Sequence, residues 1–468
     1  MNKILTLIAQ PFRWQNIISK DQIVGTMPSN RELLKRTFDI AWPSATESIL
    51  VALIAAVDMI MVGGLGKNAV SAVGITTQPK YIILTTILSI NVCLTVLISH
   101  KKGQNNKEKA NEYLKQGFLL SIIITAILSL IGFIYAEDLL YLAGANNDYI
   151  KMATQYFKII IIGNIFNSLC LTITACQRGV GNTRISLKTN LSANIINLIF
   201  NVILIHGLFG FPALGVKGAA IATLLGNIVG FIIAIISIRH KDSFLYLSFN
   251  KFFRINKEII KDISNLFKSV FIEQIFIRLG FFMYSKSVAG LGTDSFSAHQ
   301  IVMNVMQISF ACGDGLQIAT TSLVGQNLGA KRSDLAIVAS KMSQRIGIII
   351  ALLLSSLITI FRYEILSMFI QDTIVIDYAI FPMILLSVTI MFQIPQVITI
   401  GSLRGAGDVK FVAILMVISV GIVRPGLSFI FAYILNLGLN GAWVAVFIDQ
   451  IVRYVVSRIR FSKGKWVK

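Results

Sequence analysis

Long apolar runs separated by short polar connections repeat along the whole chain. Twelve runs are long enough to cross a bilayer as helices: 38–63, 81–100, 117–136, 153–175, 189–208 and 218–238, then 269–291, 301–323, 346–362, 378–400, 411–435 and 440–460. Roughly 20 apolar residues rising 1.5 Å each span the hydrocarbon core. The pattern predicts an all-α polytopic membrane protein. Polar stretches then divide it into an N-terminal segment (1–37), a first lobe of six helices (38–238), a linker (239–267), a second lobe of six helices (268–460) and a tail (461–468). The opening segment holds one short apolar run, Ile4 to Ala9, among Lys3, Arg13 and Lys20, with no small-residue cleavage site. That composition predicts an interfacial amphipathic stretch, not a secretory signal.

The halves are copies. Sliding the chain so that Glu47 falls on Glu273 also brings Leu65-Gly66 onto Leu291-Gly292, Ser71-Ala72 onto Ser297-Ala298, Gly103 onto Gly329, Phe166 onto Phe392, and Arg178-Gly179-x-Gly181 onto Arg404-Gly405-x-Gly407, all without a gap. A later match, Gly215-x-x-Gly218-Ala219 with Gly438-x-x-Gly441-Ala442, needs a slightly shorter shift, so the second copy has lost a few positions near its fifth span. Six spans per copy is an even number, so both copies enter from the same side and form two parallel six-helix bundles, the repeat arrangement of transporters with a central site.

Composition agrees: 55% of the residues are apolar, 14% are charged, and mean hydropathy is +0.74. The formal charge of +20 is spread between apolar runs instead of gathered on one domain, which fits loops at an anionic membrane surface and speaks against a nucleic-acid partner. Basic residues concentrate after the even-numbered spans (Lys101, Lys102, Lys107, Lys109 and Lys115 after the second; Arg239, Lys241, Lys251, Arg254, Lys257 and Lys261 after the sixth). The odd-numbered connections hold only Lys67, Lys80, Lys151, Lys217 and Arg362. Both termini are therefore expected to be cytoplasmic, in a multi-pass protein of the cell membrane. Four cysteines lack metal-ligand spacing, and no HExxH, GxSxG or nucleotide-binding loop is present, so neither an enzyme nor an ATP-driven pump is expected.

Acids inside apolar runs are costly unless they face a polar interior, which makes them the candidates for function. Asp58 has no acidic counterpart in the repeat, where Tyr284 stands. The fifth run carries Asn194, Asn197 and Asn201 on one face, and Thr223 follows in the sixth. Oxygens from these groups beside one carboxylate suit a hard monovalent cation, or hold a proton-exchanging carboxylate by hydrogen bonds. Snorkelling of Asp58 and amide gluing of helices are the structural alternatives. Glu47 and Glu273, at matching positions, suit a shared structural task, and with Tyr284 they are also the candidate substrate contacts. Arg278, Lys286, Asp314 and Arg424 place charge in second-half helices without revealing their partners. Asp449 and Arg453, at i and i+4, are expected to neutralise each other. His206 and His299 are read as interfacial, and the Arg-Gly-x-Gly pairs as tight cytoplasmic turns.

The chain resembles the multidrug and toxic compound extrusion (MATE) family over nearly all of residues 35 to 460. The resemblance rests on Trp42-Pro43, Val57-Asp58-x-Ile60-Met61-Val62-Gly63-x-Leu65-Gly66, the run from Phe211-Pro212 to Thr223, Ala298-His299-Gln300 and Leu323-Val324-Gly325-Gln326. It implies an antiporter that expels amphipathic, often cationic, small molecules in exchange for H+ or Na+, with no other cofactor and a monomeric state. It further implies that Asp58 matches the first-helix acid used for coupling in the DinF-like branch, and that Asn197, Asn201 and Thr223 match the first-lobe ion site. Related members carry aspartate where this chain has Asn201, and that loss favours proton over sodium coupling. A lipid-linked saccharide flippase of the same superfamily is the alternative; a channel or sensor is the reading from another class.

Overall fold

Each apolar run coincides with a helix that begins before it. A computed structural model describes residues 12–65, 67–240, 242–248, 253–464 and 466, so the Ile4 to Ala9 run, Lys241 and Lys251 lie outside the described residues. The long helices are α1 (Asn30–Gly63), α2 (Lys67–Gly103), α3 (Lys107–Ile134), α5 (Ile150–Gly179), α6 (Thr183–His206), α7 (Val216–Ser237), α8 (Lys257–Ala289), α9 (Thr293–Gly329), α10 (Ser333–Ile360), α12 (Thr373–Gly405), α13 (Val409–Ile434) and α14 (Gly438–Ser462). Hydropathy registers only the part matched to hydrocarbon. Flanking polar residues extend each helix outward to its cap: the Asn106 side chain accepts from Lys109 N at 2.9 Å, and Asp372 accepts from Ile374 N at 2.9 Å. Among the described residues nine of these helices are apolar enough on their own to cross a membrane.

Two short helices, α4 (Ala136–Leu142) and α11 (Arg362–Phe369), begin at matching positions of the two copies. They are too short for a span pattern to reveal. Lys67 and Lys80, counted in a connection by sequence, both lie within α2.

Contacts divide the chain into a leading unit, Thr46–Phe267, and a trailing unit, Met1–Ala45 with Lys268–Lys468, so α1 passes from the trailing to the leading unit after Ala45. In the leading unit α2 packs on α5, α5 on α7, and α6 on α7. Its core includes Ala72, Ile83, Ala136, Leu140, Phe157 and Ile161. The linker is fastened to this unit: Asn111 bridges Phe244 O and Tyr246 N at 3.1 and 2.6 Å, Gln116 donates to Arg254 O at 2.8 Å, and Tyr113 donates to Asp262 at 2.5 Å. In the trailing unit α9 packs on α12, α10 on α12, and α12 on α14, around Val302, Met306, Leu323, Leu386, Ile394 and Trp443. The segment before α1 lies along α10, where Ile17 and Ile18 pack on Val338 and Met342. Lys341 donates to Ile17 O at 2.9 Å, and Arg332 donates to Thr26 O at 2.9 Å. Asp334, 2.8 Å away, holds the Arg332 guanidinium charged more firmly than usual.

The repeat persists at the level of single hydrogen bonds. Thr95 donates to Ala175 O at 3.0 Å, and Thr321, its counterpart in the second copy, donates to Gly401 O at 2.9 Å. The Arg-Gly-x-Gly pairs form matching turns: Gly181 (φ +88°) and Gly407 (φ +84°) are left-handed, and their N–H groups reach Arg178 O and Arg404 O at 2.9 and 2.8 Å. In α13 the second copy departs from its counterpart α6. Its α-helical turns give way to π-helix at Val417–Val423 and Ile430–Ile434, on either side of Arg424.

Candidate functional site

Asp58 sits five residues before the end of α1, partly buried, facing α6 and α7. Asn201 Nδ2 donates to Asp58 Oδ1 at 2.8 Å. Asn197, one turn earlier on α6, faces the same carboxylate, and its amide is oriented by the network: nitrogen toward Asp58 gives donors 3.0 and 3.1 Å from the two oxygens and leaves the carbonyl 3.1 Å from the Thr223 hydroxyl and backbone nitrogen. Thr223 in turn donates to Ala219 O at 3.0 Å. Close approach of α6 and α7 sets this register. A Cβ at Gly226 would lie 2.5 Å from Ala193 O and 3.1 Å from the Asn197 Cβ, so only glycine lets α7 bring Thr223 onto Asn197. Asn197 and Asn201 are 5% and 3% exposed, yet Asp58 retains access to the surface, as an exchange site requires.

Chemically the cluster is one carboxylate served by amide donors. Two N–H groups stabilise its ionised form, and the Asn201 Oδ1 remains a buried acceptor without a partner among the described residues. Asn194, the third amide read from sequence, makes no hydrogen bond to Asp58.

Two residues escape sequence reading. Tyr156 on α5 is partly buried against Val62, Ala69, Ile205, Val216 and Ala219. Lys80, which follows Pro79 inside α2, is also partly buried. Hydropathy places this lysine in a loop, yet it lies thirteen residues beyond Lys67, less than four turns into a helix that begins well before its apolar run.

The substrate-contact candidates have other engagements. Glu47, 7% exposed, accepts from Arg178 at 2.7 Å, Ser186 at 3.0 Å and Asn190 at 2.5 Å, all within the leading unit. Glu273, fully buried in the trailing unit, pairs with Arg404. Both glutamates are thus tied to the arginine of their own copy's Arg-Gly-x-Gly turn, which corrects the reading of them as ligand contacts: a carboxylate bound to an internal guanidinium and closed to solvent is not presented to a ligand. Tyr284 is 1% exposed, its ring edge-on to His299 with centroids 5.2 Å apart. It too is a core residue. His299, read as interfacial, is 2% exposed among the rings of Tyr284, Phe296 and Trp443.

The second-half charges separate into two groups. Asp449 binds Arg453 at 2.8 Å, as its i,i+4 spacing suggested, and also binds Arg424 at 2.5 Å and the Ser419 hydroxyl. Arg424 lies 4.9 Å from the centroid of the Phe281 ring. Arg278, Lys286 and Asp314 are exposed instead. On α9, Asp314 continues a line of exposed amides, Gln300, Asn304 and Gln307, spaced by four, three and seven residues on one helical face.

Known proteins share this architecture. The chain is 27% identical over 434 residues to the uncharacterized transporter YisQ of Bacillus subtilis, covering 92% of this chain and 94% of the relative. It is 24% identical over 444 residues to the probable multidrug resistance protein NorM of Thermotoga maritima, covering 93% and 94%. Among solved structures, an outward-facing multidrug resistance MATE family transporter of the MOP superfamily superposes with a TM-score of 0.86 at 21% identity, over 94% of this chain and all of that one. The fold is therefore that of twelve transmembrane helices in two bundles. The MatE family model matches twice, at residues 43–203 and 269–430, and the two matches begin at equivalent positions of the repeat. By that match the chain belongs to the MatE family of membrane transporters and is not an enzyme.

Proposed function

We propose that the protein is a secondary active multidrug efflux antiporter of the cell membrane, monomeric, with both termini cytoplasmic, which exports amphipathic or cationic compounds by alternating access in exchange for a proton or sodium ion taken up at Asp58. The observation that carries the reading is the Asp58–Asn201–Asn197–Thr223 cluster: a reachable carboxylate inside a membrane bundle, held by neutral amides. Uptake of one positive charge there changes the charge of the bundle interior and hence which packing is favoured, the differential binding that a two-state transporter needs. A charge moving inward across the membrane gains about 2.3 kcal/mol per 100 mV, which is available to drive substrate outward.

The multidrug reading for substrate draws on the names of NorM relatives and on α9. Its exposed amides and Asp314 would be costly against lipid, so this face of the trailing unit meets water or a polar ligand. The multidrug names of the relatives favour small-molecule efflux over the saccharide flippase. Vesicles reconstituted with the protein and loaded with a fluorescent lipophilic cation test the reading. An imposed pH or sodium gradient should drive the cation against its own gradient, whereas movement only down that gradient would indicate a channel and refute antiport.

A further inference from the structure

We propose that the Arg424–Asp449–Arg453 cluster of the trailing unit holds a small inorganic anion of the halide class as a fixed counter-ion, bound by the free edge of Arg424 with the hydroxyls of Ser428 and Tyr284. The inference is independent of the exchange role given to Asp58.

Its first basis is charge. Two guanidinium groups share one carboxylate, so two positive charges less one negative leave +1. Arg424 and Asp449 are 0% exposed and Arg453 is 2% exposed. Arg424 lies fifteen residues from the start of α13 and Asp449 eleven from the start of α14. Those positions are roughly 22 and 16 Å along helices that cross about 30 Å of hydrocarbon. An uncompensated charge at that depth is costly. Among the described residues no second carboxylate pairs with either arginine.

The hydrogen-bond inventory shows the same shortage. Asp449 Oδ2 accepts from Arg424 Nε at 3.0 Å, Arg424 Nη2 at 2.5 Å and Arg453 Nη2 at 2.8 Å, while Oδ1 accepts from Ser419. An oxygen with two lone pairs already serves three N–H groups. Arg424 Nη1 and Arg453 Nε are nonetheless buried without an acceptor among the described residues. Donors exceed acceptors, and what is lacking is negative charge.

The crossing of α8 and α13 gathers further donors at Arg424. A Cβ on Gly280 would collide with Val420 O, and one on Gly421 would lie 2.9 Å from the Phe276 ring, so the two helices meet in backbone contact. That contact sets the Phe281 ring 4.9 Å from the Arg424 guanidinium. Tyr284, one turn along the same face of α8, has its ring in the core and a buried hydroxyl without a partner among the described residues. Ser428, one turn beyond Arg424, is likewise buried with an unpartnered hydroxyl, and a helical side chain leans back over the preceding turn. A halide accepts from all three groups and asks for no acceptor in return. Water would satisfy the hydrogen bonds and leave the charge. Since none of these residues is more than 2% exposed, the anion is a fixed part of the trailing unit and not its cargo.

Thermal unfolding of the full-length protein in detergent tests this, in sodium chloride or bromide against sodium gluconate at equal ionic strength. Wild type should gain about 3 °C in Tm once halide is about a hundredfold above its Kd. Arg424→Met leaves a neutral Asp449–Arg453 pair; it should lose the halide response and be no less stable than wild type in gluconate. Asp449→Asn raises the cluster to +2 and should respond at about tenfold lower halide. A wild-type Tm that is the same in halide and gluconate overturns the proposal, and so does an equal halide shift in Arg424→Met. If neither variant folds, wild-type crystals grown in bromide decide: an anomalous peak beside Arg424 Nη1 supports the site, and no peak there contradicts it.

Discussion

The Glu47 carboxylate and the Arg178 guanidinium meet at 2.7 Å, and the same pairing recurs in the second copy between Glu273 and Arg404. The two copies are not equally furnished. Ser186 and Asn190 also serve Glu47, while their counterparts in the repeat, Val412 and Met416, donate nothing to Glu273. Removing one partner of a buried pair strands the other charge. Glu273→Ala should therefore destabilise the protein by about 3–5 kcal/mol, and Glu47→Ala by less, because Ser186 remains to receive an Arg178 N–H. Thermal unfolding in detergent measures this. A Glu273→Gln variant with unchanged Tm and a raised KM for substrate would restore the ligand-contact role that the geometry denies it.

Asp449 serves two buried arginines at once. Asp449→Asn should cost about 3–5 kcal/mol of stability by leaving Arg424 and Arg453 without their counter-charge, with the ion preference of the folded fraction unchanged. Unfolding midpoints beside ion-driven efflux per inserted molecule separate the two effects.

Gly226 sets the distance between α6 and α7. Gly226→Ala should push the helices apart at Ala193, with a loss of about 1–3 kcal/mol and a drop in ion-driven efflux, since Thr223 no longer reaches Asn197. Ala222→Gly on the same helix, which adds no atoms, serves as a comparison in both assays.

Asp314 lies exposed on α9 in line with Gln300, Asn304 and Gln307. Asp314→Asn should weaken export of cationic substrates by about tenfold while sparing neutral ones, because a single charge–charge contact in a polar cleft is worth about 1–2 kcal/mol. Equal loss for both classes would mean a structural role.

How much of this was legible in the chain depends on what kind of information each feature carries. The twelve spans and the duplication were readable because hydropathy and a constant register are properties of the sequence alone. Asp58 with Asn197, Asn201 and Thr223 could be grouped because helical periodicity places the amides on one face and the resemblance joined them to the acid. The glutamate–arginine pairs were not legible. Each member stands out by itself, Glu47 and Glu273 as acids in apolar runs and Arg178 and Arg404 as turn residues, but 131 residues separate partners and no local rule links them. A charge that interrupts an apolar window places Lys80 in a connection by sequence, although α2 continues through it. The short α4 and α11 lie below the length at which a span pattern can be recognised.

The exchange role of Asp58 is tested most directly by gradient-driven, uphill efflux from vesicles containing Asp58→Asn, with insertion verified beside wild type. The variant keeps the shape of the side chain and its contacts with Asn201 but cannot ionise. Efflux that stays at the protein-free baseline under both a pH and a sodium gradient, in a correctly inserted protein, is the predicted result. Uphill efflux at the wild-type rate would contradict it.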